Sequence, residues 1–189
     1  MHRLSEGGVQ RMNKQWAIFL DLDETLVFTS QLESLRKQRA WQQAYQSFHL
    51  TNLPPGTKAF LQKALQIAPL GVITRTPRPY AEKLLSHHQL PLRVVVAFHD
   101  TQRRKPHPDP ILRAVQLYSV VPDHCFYIGD SGDDMQAAAS AGAFPIGLTW
   151  DNSLATKPER RLALQLCTNW NAVLEVIQQT METQEMKHE

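Results

Sequence analysis

Cysteine is scarce in this chain: two residues in 189, Cys125 and Cys167, far apart and in no CxxC pair. That excludes a disulfide scaffold and fits a reduced compartment, so a cytoplasmic location is expected. Cys125 lies in the apolar run "HCFYIG", the setting of a buried free thiol. No apolar run approaches the roughly 20 residues that a membrane-spanning helix requires. The opening stretch, "MHRLSEGGVQRMNKQ", lacks the apolar core of a signal peptide. It reads as a loose leader over 1–15, with Met12 as a second candidate start. Charge of one sign is lacking too: 20 Lys and Arg against 18 Asp and Glu leave a net charge of +2. That excludes a polyelectrolyte or a charge-driven disordered chain. One short basic cluster, Arg103 to Lys105, could touch nucleic acid, but a solvated loop explains it as well, and no nucleic-acid partner is expected. His87, His88, His99, His107 and His124 show no zinc-ligand spacing with cysteine. Internal repeats, low-complexity stretches and zipper-like segments are also missing, which leaves a monomer as the default.

What is present is enough apolar material for a core, 42% of residues, arranged as short runs between helix-like stretches. The runs "WAIFLD", "LGVIT", "LRVVVAF", "CFYIGD" and "FPIGLT" are apolar on consecutive positions, as in strands covered on both faces. Between them, "TKAFLQKALQIA", "RPYAEKLLSHH", "DPILRAVQLYS" and "DMQAAASAG" read as helices. Pro108 and Pro110 suit a first helical turn, and Gly142 a helix end. The alternation predicts an α/β fold with a doubly wound, mostly parallel sheet over 16–181. Segment 28–52 breaks the rhythm. It reads as a small helical insertion, one longer helix and a turn or two short helices, with Leu35, Trp41, Ala44, Tyr45 and Phe48 on one face. Trp41 and Tyr45 fit a pocket wall or plain packing. Toward the end, "PERRLALQLCTNWNAVLEVIQQ" reads as two helices, with Asn169 opening the second, and 182–189 as a frayed tail.

In such sheets ligands gather at the carboxyl ends of the strands. Asp21 and Asp23 follow the first run, Thr74 and Arg75 the second, His99, Asp100 and then Lys105 the third, and Asp130, Ser131, Asp133 and Asp134 the fourth. Carboxylates crowded at one rim repel one another unless a cation compensates, and oxygen-only ligands favour Mg²⁺. Mg²⁺ on few carboxylates is a usual partner of phosphate. Thr74 and Lys105 suit phosphate oxygens. One carboxylate could attack phosphorus while another, two residues away, shuttles the proton. Taken singly, Asp21 and Asp23 would also pass as caps or turn residues. Arg75 and Arg78 divide evenly between anion contacts and exposed loop charges. Asp133 reads as a solvated first-turn acid.

These stretches together resemble the haloacid dehalogenase superfamily, in particular its phosphoglycolate-phosphatase-like branch with a shortened cap. "DLDETLV" is similar to the DxDx[TV] signature, "GVITRTPRPY" to the strand ending in Thr or Ser, "KPHPDPI" to the lysine–proline motif, and "YIGDSGDDMQAAASAGAFPIGLTW" to GDxxxD and its alanine-rich helix. The resemblance spans about 16–152. It implies a phosphatase with a Rossmann-type core that uses Mg²⁺ and an aspartyl-phosphate. Asp21 would be the nucleophile and Asp23 the general acid/base, with its main-chain carbonyl on the metal. Thr74 and Arg75 would bind the phosphoryl group, and Lys105 would neutralise charge between Asp21 and phosphate. Asp21, Asp23 and Asp130 would hold Mg²⁺, with Asp134 in support one residue removed from the ion. A small phosphorylated metabolite is the expected substrate. The alternatives are a phosphatase of phosphoproteins or other large substrates, and a non-catalytic phosphate-binding protein. Two departures stand out: Glu24 where glycine is common, and an insertion much shorter than a typical helical cap.

Overall fold

The structure, a computed structural model, describes residues 15–151 and 154–187. All but the last residue of the leader expected at 1–15, with its candidate starts, and the last two residues of the chain lie outside them. Six parallel strands form one sheet: β1 (Ala17–Leu20), β2 (Leu70–Ile73), β3 (Val94–Val96), β4 (Cys125–Gly129), β5 (Phe144–Leu148) and β6 (Gln165–Cys167), in the order β3-β2-β1-β4-β5-β6. The order reverses direction between β1 and β4, and that is where a doubly wound sheet opens a crevice at its carboxyl edge.

The consecutive apolar residues of the strands are explained by two cores. Ile18, Leu20, Val72, Phe126 and Ile128 face one way, against α3 (Thr57–Ile67), α4 (Arg78–His87) and α7 (Trp170–Met186). Ala17, Phe19 and Tyr127 face the other way, against α5 (Asp109–Tyr118) and α6 (Gly132–Ala141). Alternate side chains of one strand thus enter different cores, and no face of β1, β2 or β4 is left for water. On the first side Phe60 stacks on Trp170 with ring centroids 4.2 Å apart, and the Trp170 indole donates to Thr57 Oγ1 at 2.9 Å. The small residues of α6, Ala137, Ala138 and Ala141, bring that helix close to the second face. The helix ends at Gly142, whose φ of +79° is the left-handed conformation that glycine adopts without strain.

The insertion consists of two short helices, α1 (Glu33–Lys37) and α2 (Trp41–Gln46), each beside a 3-10 turn. An antiparallel bridge between Phe28 and Asn52 closes its base. Ala44 and Phe48 are buried, and Leu35, Trp41 and Tyr45 pack against the same core. Trp41, Tyr45 and Phe48 all lie beside Tyr80 of α4, at 5.5, 6.5 and 5.5 Å between ring centroids.

The end of the chain differs from the sequence reading. The first of the two expected helices is a 3-10 turn, Pro158–Leu162, followed by the edge strand β6. Three residues are too few to display a strand period, and only Cys167 is fully buried, so the pattern carried no signal. Asn169 does open α7, its Oδ1 accepting from the Ala172 amide at 3.0 Å. That helix runs on to Met186, through most of the stretch expected to fray, with Thr180 and Thr183 hydroxyls bonded back to carbonyls one turn earlier.

Candidate active site

β2, β1 and β4 are neighbours, so the residues that follow them meet. The Asp21 amide donates to Ile128 O at 2.9 Å, continuing the β1–β4 ladder by one step and fixing Asp21 beside Asp130. One cleft of about 370 Å³ is lined by Asp21, Asp23, Thr74, Arg75 and Asp130, with Arg36 of α1 opposite them.

Lys105 stands behind Asp21 rather than in the cleft wall. Its side chain is only 2% exposed, and its three N–H bonds have three short partners: Asp21 Oδ1 at 2.8 Å, Asp134 Oδ1 at 2.6 Å and the Tyr127 hydroxyl at 2.7 Å. Burial opposes the charge on Lys105, but Asp134 and Asp21 outweigh it and hold the ammonium above its ordinary range. Asp134 is the reciprocal case. Burial pushes its carboxyl up, yet Lys105 and then Ser131 pull it below the usual carboxylate range.

Asp134 is also the third residue of α6, and it completes a capping box with Ser131. Its Oδ2 accepts from the Ser131 amide at 3.1 Å and hydroxyl at 2.5 Å, while Oδ1 accepts from Lys105 and from Tyr127 at 3.1 Å. Both oxygens are therefore fully used by protein donors. Gly129 makes room for this arrangement: a Cβ there would come within 2.5 Å of the Asp134 side chain.

Asp21 and Asp130 are less well compensated. Burial pushes the Asp21 carboxyl up to about 6 against the pull of Lys105, with Asp134 and Asp23 adding to the rise. Burial, then Asp21 and Asp134, push Asp130 up to about 8, although Thr25 Oγ1 donates to it at 3.0 Å. One oxygen from each of Asp21, Asp130 and Asp134 fits within 4.8 Å, an all-oxygen set that matches a hard divalent cation. Because Asp134 is saturated, the residues with free oxygens for such an ion are Asp21 and Asp130, and the fit is good.

Asp23 sits in a tight turn. Its Oδ1 accepts from Thr29 Oγ1 at 2.7 Å and lies 2.6 Å from Arg36 Nη1, with the Tyr80 hydroxyl at 3.5 Å. Glu24 next to it has a φ of 61°, where glycine would be relaxed, and its Oε1 accepts from the Thr29 amide at 2.7 Å. Thr74 Oγ1 accepts from the Thr76 amide at 3.1 Å and pairs with the Thr76 hydroxyl at 2.9 Å. Arg75, at the cleft mouth, is paired with Asp133.

Other charged residues raised by the sequence go elsewhere. Arg78 donates to the Val94 and Val95 carbonyls and to Asp100, covering the edge strand β3. Asp100 therefore leaves the rim, and His99 packs edge-on to Phe98. Arg103 pairs with Asp109, and Arg104 lies 3.9 Å over the Phe98 ring, so the basic cluster is engaged internally. Among the described residues no helix is long and apolar enough to cross a membrane.

Sequence reasoning missed Arg36, Thr29 and Tyr127, and it placed Ser131 at the rim without giving it a role. Tyr127 had a signal, since its position alternates with Phe126 and Ile128 and so faces the core that holds Lys105. Arg36 had none, because its partner is set by how the insertion folds back.

Comparison with known proteins fits this geometry. The profile of the haloacid dehalogenase-like hydrolase family matches residues 22–147. A phosphoglycolate phosphatase of Escherichia coli K12 is 38% identical over 84 residues, which is 43% of this chain and 33% of that protein. The chain thus spans about a third of the length of the curated relatives it matches. Among solved structures, a hydrolase from Pseudomonas syringae superposes with a TM-score of 0.70 at 20% identity, covering 85% of this chain and 97% of that one. A HAD-superfamily hydrolase from Geobacter sulfurreducens gives 0.66 at 15% identity, covering 86% and 99%. With these two, the fold is shared. The profile match spans most of the chain and takes in the turn that carries Asp23, the buried lysine and both α6 carboxylates, so this chain belongs to the haloacid dehalogenase-like hydrolase family.

Proposed function

We propose that the protein is a Mg²⁺-dependent phosphomonoester hydrolase that works on a small phosphorylated metabolite through an aspartyl-phosphate. The observation that carries the reading is the contact of Asp21 with the buried Lys105, at 2.8 Å, on the floor of a cleft that Asp23, Thr74 and Asp130 also line. The size of the cleft, at the lower end of small-ligand sites, and the phosphoglycolate phosphatase relatives support a small substrate.

In the first half-reaction an Asp21 carboxylate oxygen attacks phosphorus, the bond from phosphorus to the ester oxygen breaks, and Asp23 gives its proton to the departing alcohol. In the second, Asp23 takes a proton from water as the water oxygen attacks phosphorus. The bond between phosphorus and Asp21 then breaks, releasing inorganic phosphate and restoring the carboxylate. Lys105 keeps Asp21 oriented and favours its ionised form. Thr74 accepts from the Thr76 amide, and with the Thr76 hydroxyl as donor of their pair, its own hydroxyl hydrogen turns to a phosphoryl oxygen. Arg75 reaches a phosphoryl oxygen by releasing Asp133. Mg²⁺ held by Asp21, Asp130 and the main-chain carbonyl of Asp23 would neutralise charge on the phosphoryl oxygens.

The test is phosphate release from a generic aryl phosphate. Release should require Mg²⁺, stop in excess chelator, and fall by about three orders of magnitude or more in Asp21→Asn, the usual scale for losing a nucleophile. Undiminished release by Asp21→Asn would refute the mechanism.

A further inference from the structure

Tyr127, in the middle of β4, is fully buried, and neither the reaction above nor the packing of the strand calls for its hydroxyl. Its neighbours Phe126 in sequence and Phe19 across the sheet fill their cores with plain rings. The Tyr127 oxygen nevertheless reaches three polar groups. It lies 2.7 Å from Lys105 Nζ, 3.1 Å from Asp134 Oδ1 and 3.3 Å from Ile73 O. An ammonium only donates, so the hydroxyl accepts from Lys105, and its own hydrogen goes to Asp134 or to Ile73 O.

The surroundings of Lys105 explain why an oxygen stands there. Nζ lies between two carboxylates, 2.8 Å from Asp21 Oδ1 and 2.6 Å from Asp134 Oδ1. The two pulls are unequal. The Asp134 side chain is 1% exposed and that of Asp21 14%, so the attraction to Asp134 is the less screened. Held by these two alone, the ammonium could turn about the line that joins them and slip toward Asp134. Its third N–H bond points away from the other two, and there it meets Tyr127. Ile73 O, at 3.5 Å from Nζ, is at the limit of hydrogen bonding and is a poor substitute. Three anchors fix the position of Nζ, and the position of Nζ sets how the Asp21 carboxylate is turned.

We propose that Tyr127 is a positioning residue for phosphoryl transfer: its hydroxyl holds Lys105 against Asp21 and so fixes the orientation of the attacking carboxylate. Tyr127 is no part of the cleft wall and acts only through Lys105. The inference rests on the hydrolase reading for what Asp21 does.

Tyr127→Phe is the informative variant, because it removes the oxygen and keeps the ring, whose centroid is 5.3 Å from Nζ. With both proteins folded and in Mg²⁺, kcat on an aryl phosphate should fall about tenfold or more, as for a small misplacement of a reacting group. KM should change by less than about twofold, since ground-state binding is left alone. A double-mutant cycle separates action through Lys105 from a general loosening. In a Lys105→Met background, Tyr127→Phe should change kcat by less than about twofold, because the group it positions is gone. An unchanged kcat in Tyr127→Phe, or an equal fall in both backgrounds, overturns the assignment. If Lys105→Met does not fold, the ammonium is read directly by the NMR signal of the Lys105 Nζ hydrogens. Buried and fully bonded in the unaltered protein, they should exchange at least about tenfold faster in Tyr127→Phe. A signal that neither shifts nor exchanges faster is then the overturning result. This second readout needs no turnover, so it also separates the two ideas. An inactive protein whose ammonium signal depends on Tyr127 keeps the anchor and removes the reaction; an active one indifferent to Tyr127 does the reverse.

Discussion

At the scale of single residues, the site is a problem in buried charge. Lys105 and Asp134 are almost wholly inaccessible, with side chains 2% and 1% exposed, and each stays ionised because of the other. Removing one member of such a pair is costlier than the pair is worth, since the survivor is left charged and dry. Lys105→Met, close in volume, is therefore expected to lose about 3–5 kcal/mol of stability in urea denaturation. Asp21 and Asp130 point the other way. Their folded pKa values of about 6 and about 8 lie above the ordinary 3.8, so between pH 4 and 8 the folded state binds more protons than the unfolded state. In chelator, these two groups make stability fall as pH rises through that window. The lowered carboxyl of Asp134 contributes its slope below that window, and His88, pulled below 6.5 mainly by burial, gives an opposite slope in its lower part. Comparison with Asp130→Asn isolates the term: thermal melts from pH 5 to 9 should lose part of their downward slope in the variant. Melts with the same slope in both proteins would mean that Asp130 is not held protonated by its surroundings. Added Mg²⁺ should stabilise the unaltered protein more at pH 8 than at pH 5.

At the scale of elements, the turn after β1 shows how a local rule can be broken and compensated. The Glu24 backbone, at a φ of 61°, costs about 1–2 kcal/mol relative to glycine. The Glu24 carboxylate returns a comparable amount by capping the Thr29 amide at 2.7 Å, since a hydrogen bond to a charged group contributes about 1.5–3 kcal/mol. Glu24→Gly removes strain and cap together and should change stability by less than about 1 kcal/mol, whereas Glu24→Ala keeps the strain, loses the cap and should cost about 2 kcal/mol. Urea titrations of the two variants side by side decide the matter, and equal losses would refute the account. The same turn marks the limit of what the sequence made legible. Asp21, Asp23, Thr74, Asp130 and Asp134 could be placed because each follows a buried strand or opens a helix, and both signals are local. Strands β1 to β5 were legible for the same reason. Arg36 and β6 were not. The partner of Arg36 depends on a bridge between Phe28 and Asn52 that no short pattern announces, and β6 owes its strand form to pairing with β5 rather than to its own residues.

At the scale of the molecule, the question is whether the insertion moves as a separate body over the site. Its packing says otherwise. Leu32, Ala44 and Phe48 are buried in the same continuous core as Ile18, Leu20, Phe126 and Ile128 of the central strands, and Phe48 lies against Tyr80 of α4. An element that shares a core with the sheet cannot open without exposing that core, so its opening free energy approaches that of global unfolding. Native-state hydrogen exchange should accordingly find the helical amides of α2 that bond back to the insertion, Ala44 among them, exchanging with nearly the same free energy and denaturant dependence as those of β1. Phe48→Ala should separate the two. A cavity at a buried aromatic costs about 3–5 kcal/mol, and here the loss falls where the insertion meets the core. In that variant the α2 amides should exchange well before β1, and a protease should cut between 28 and 52 while the sheet remains folded. If the α2 amides already exchange far faster than β1 in the unaltered protein, the roof is a mobile lid, and Arg36 is then brought to Asp23 by closure rather than held there by packing.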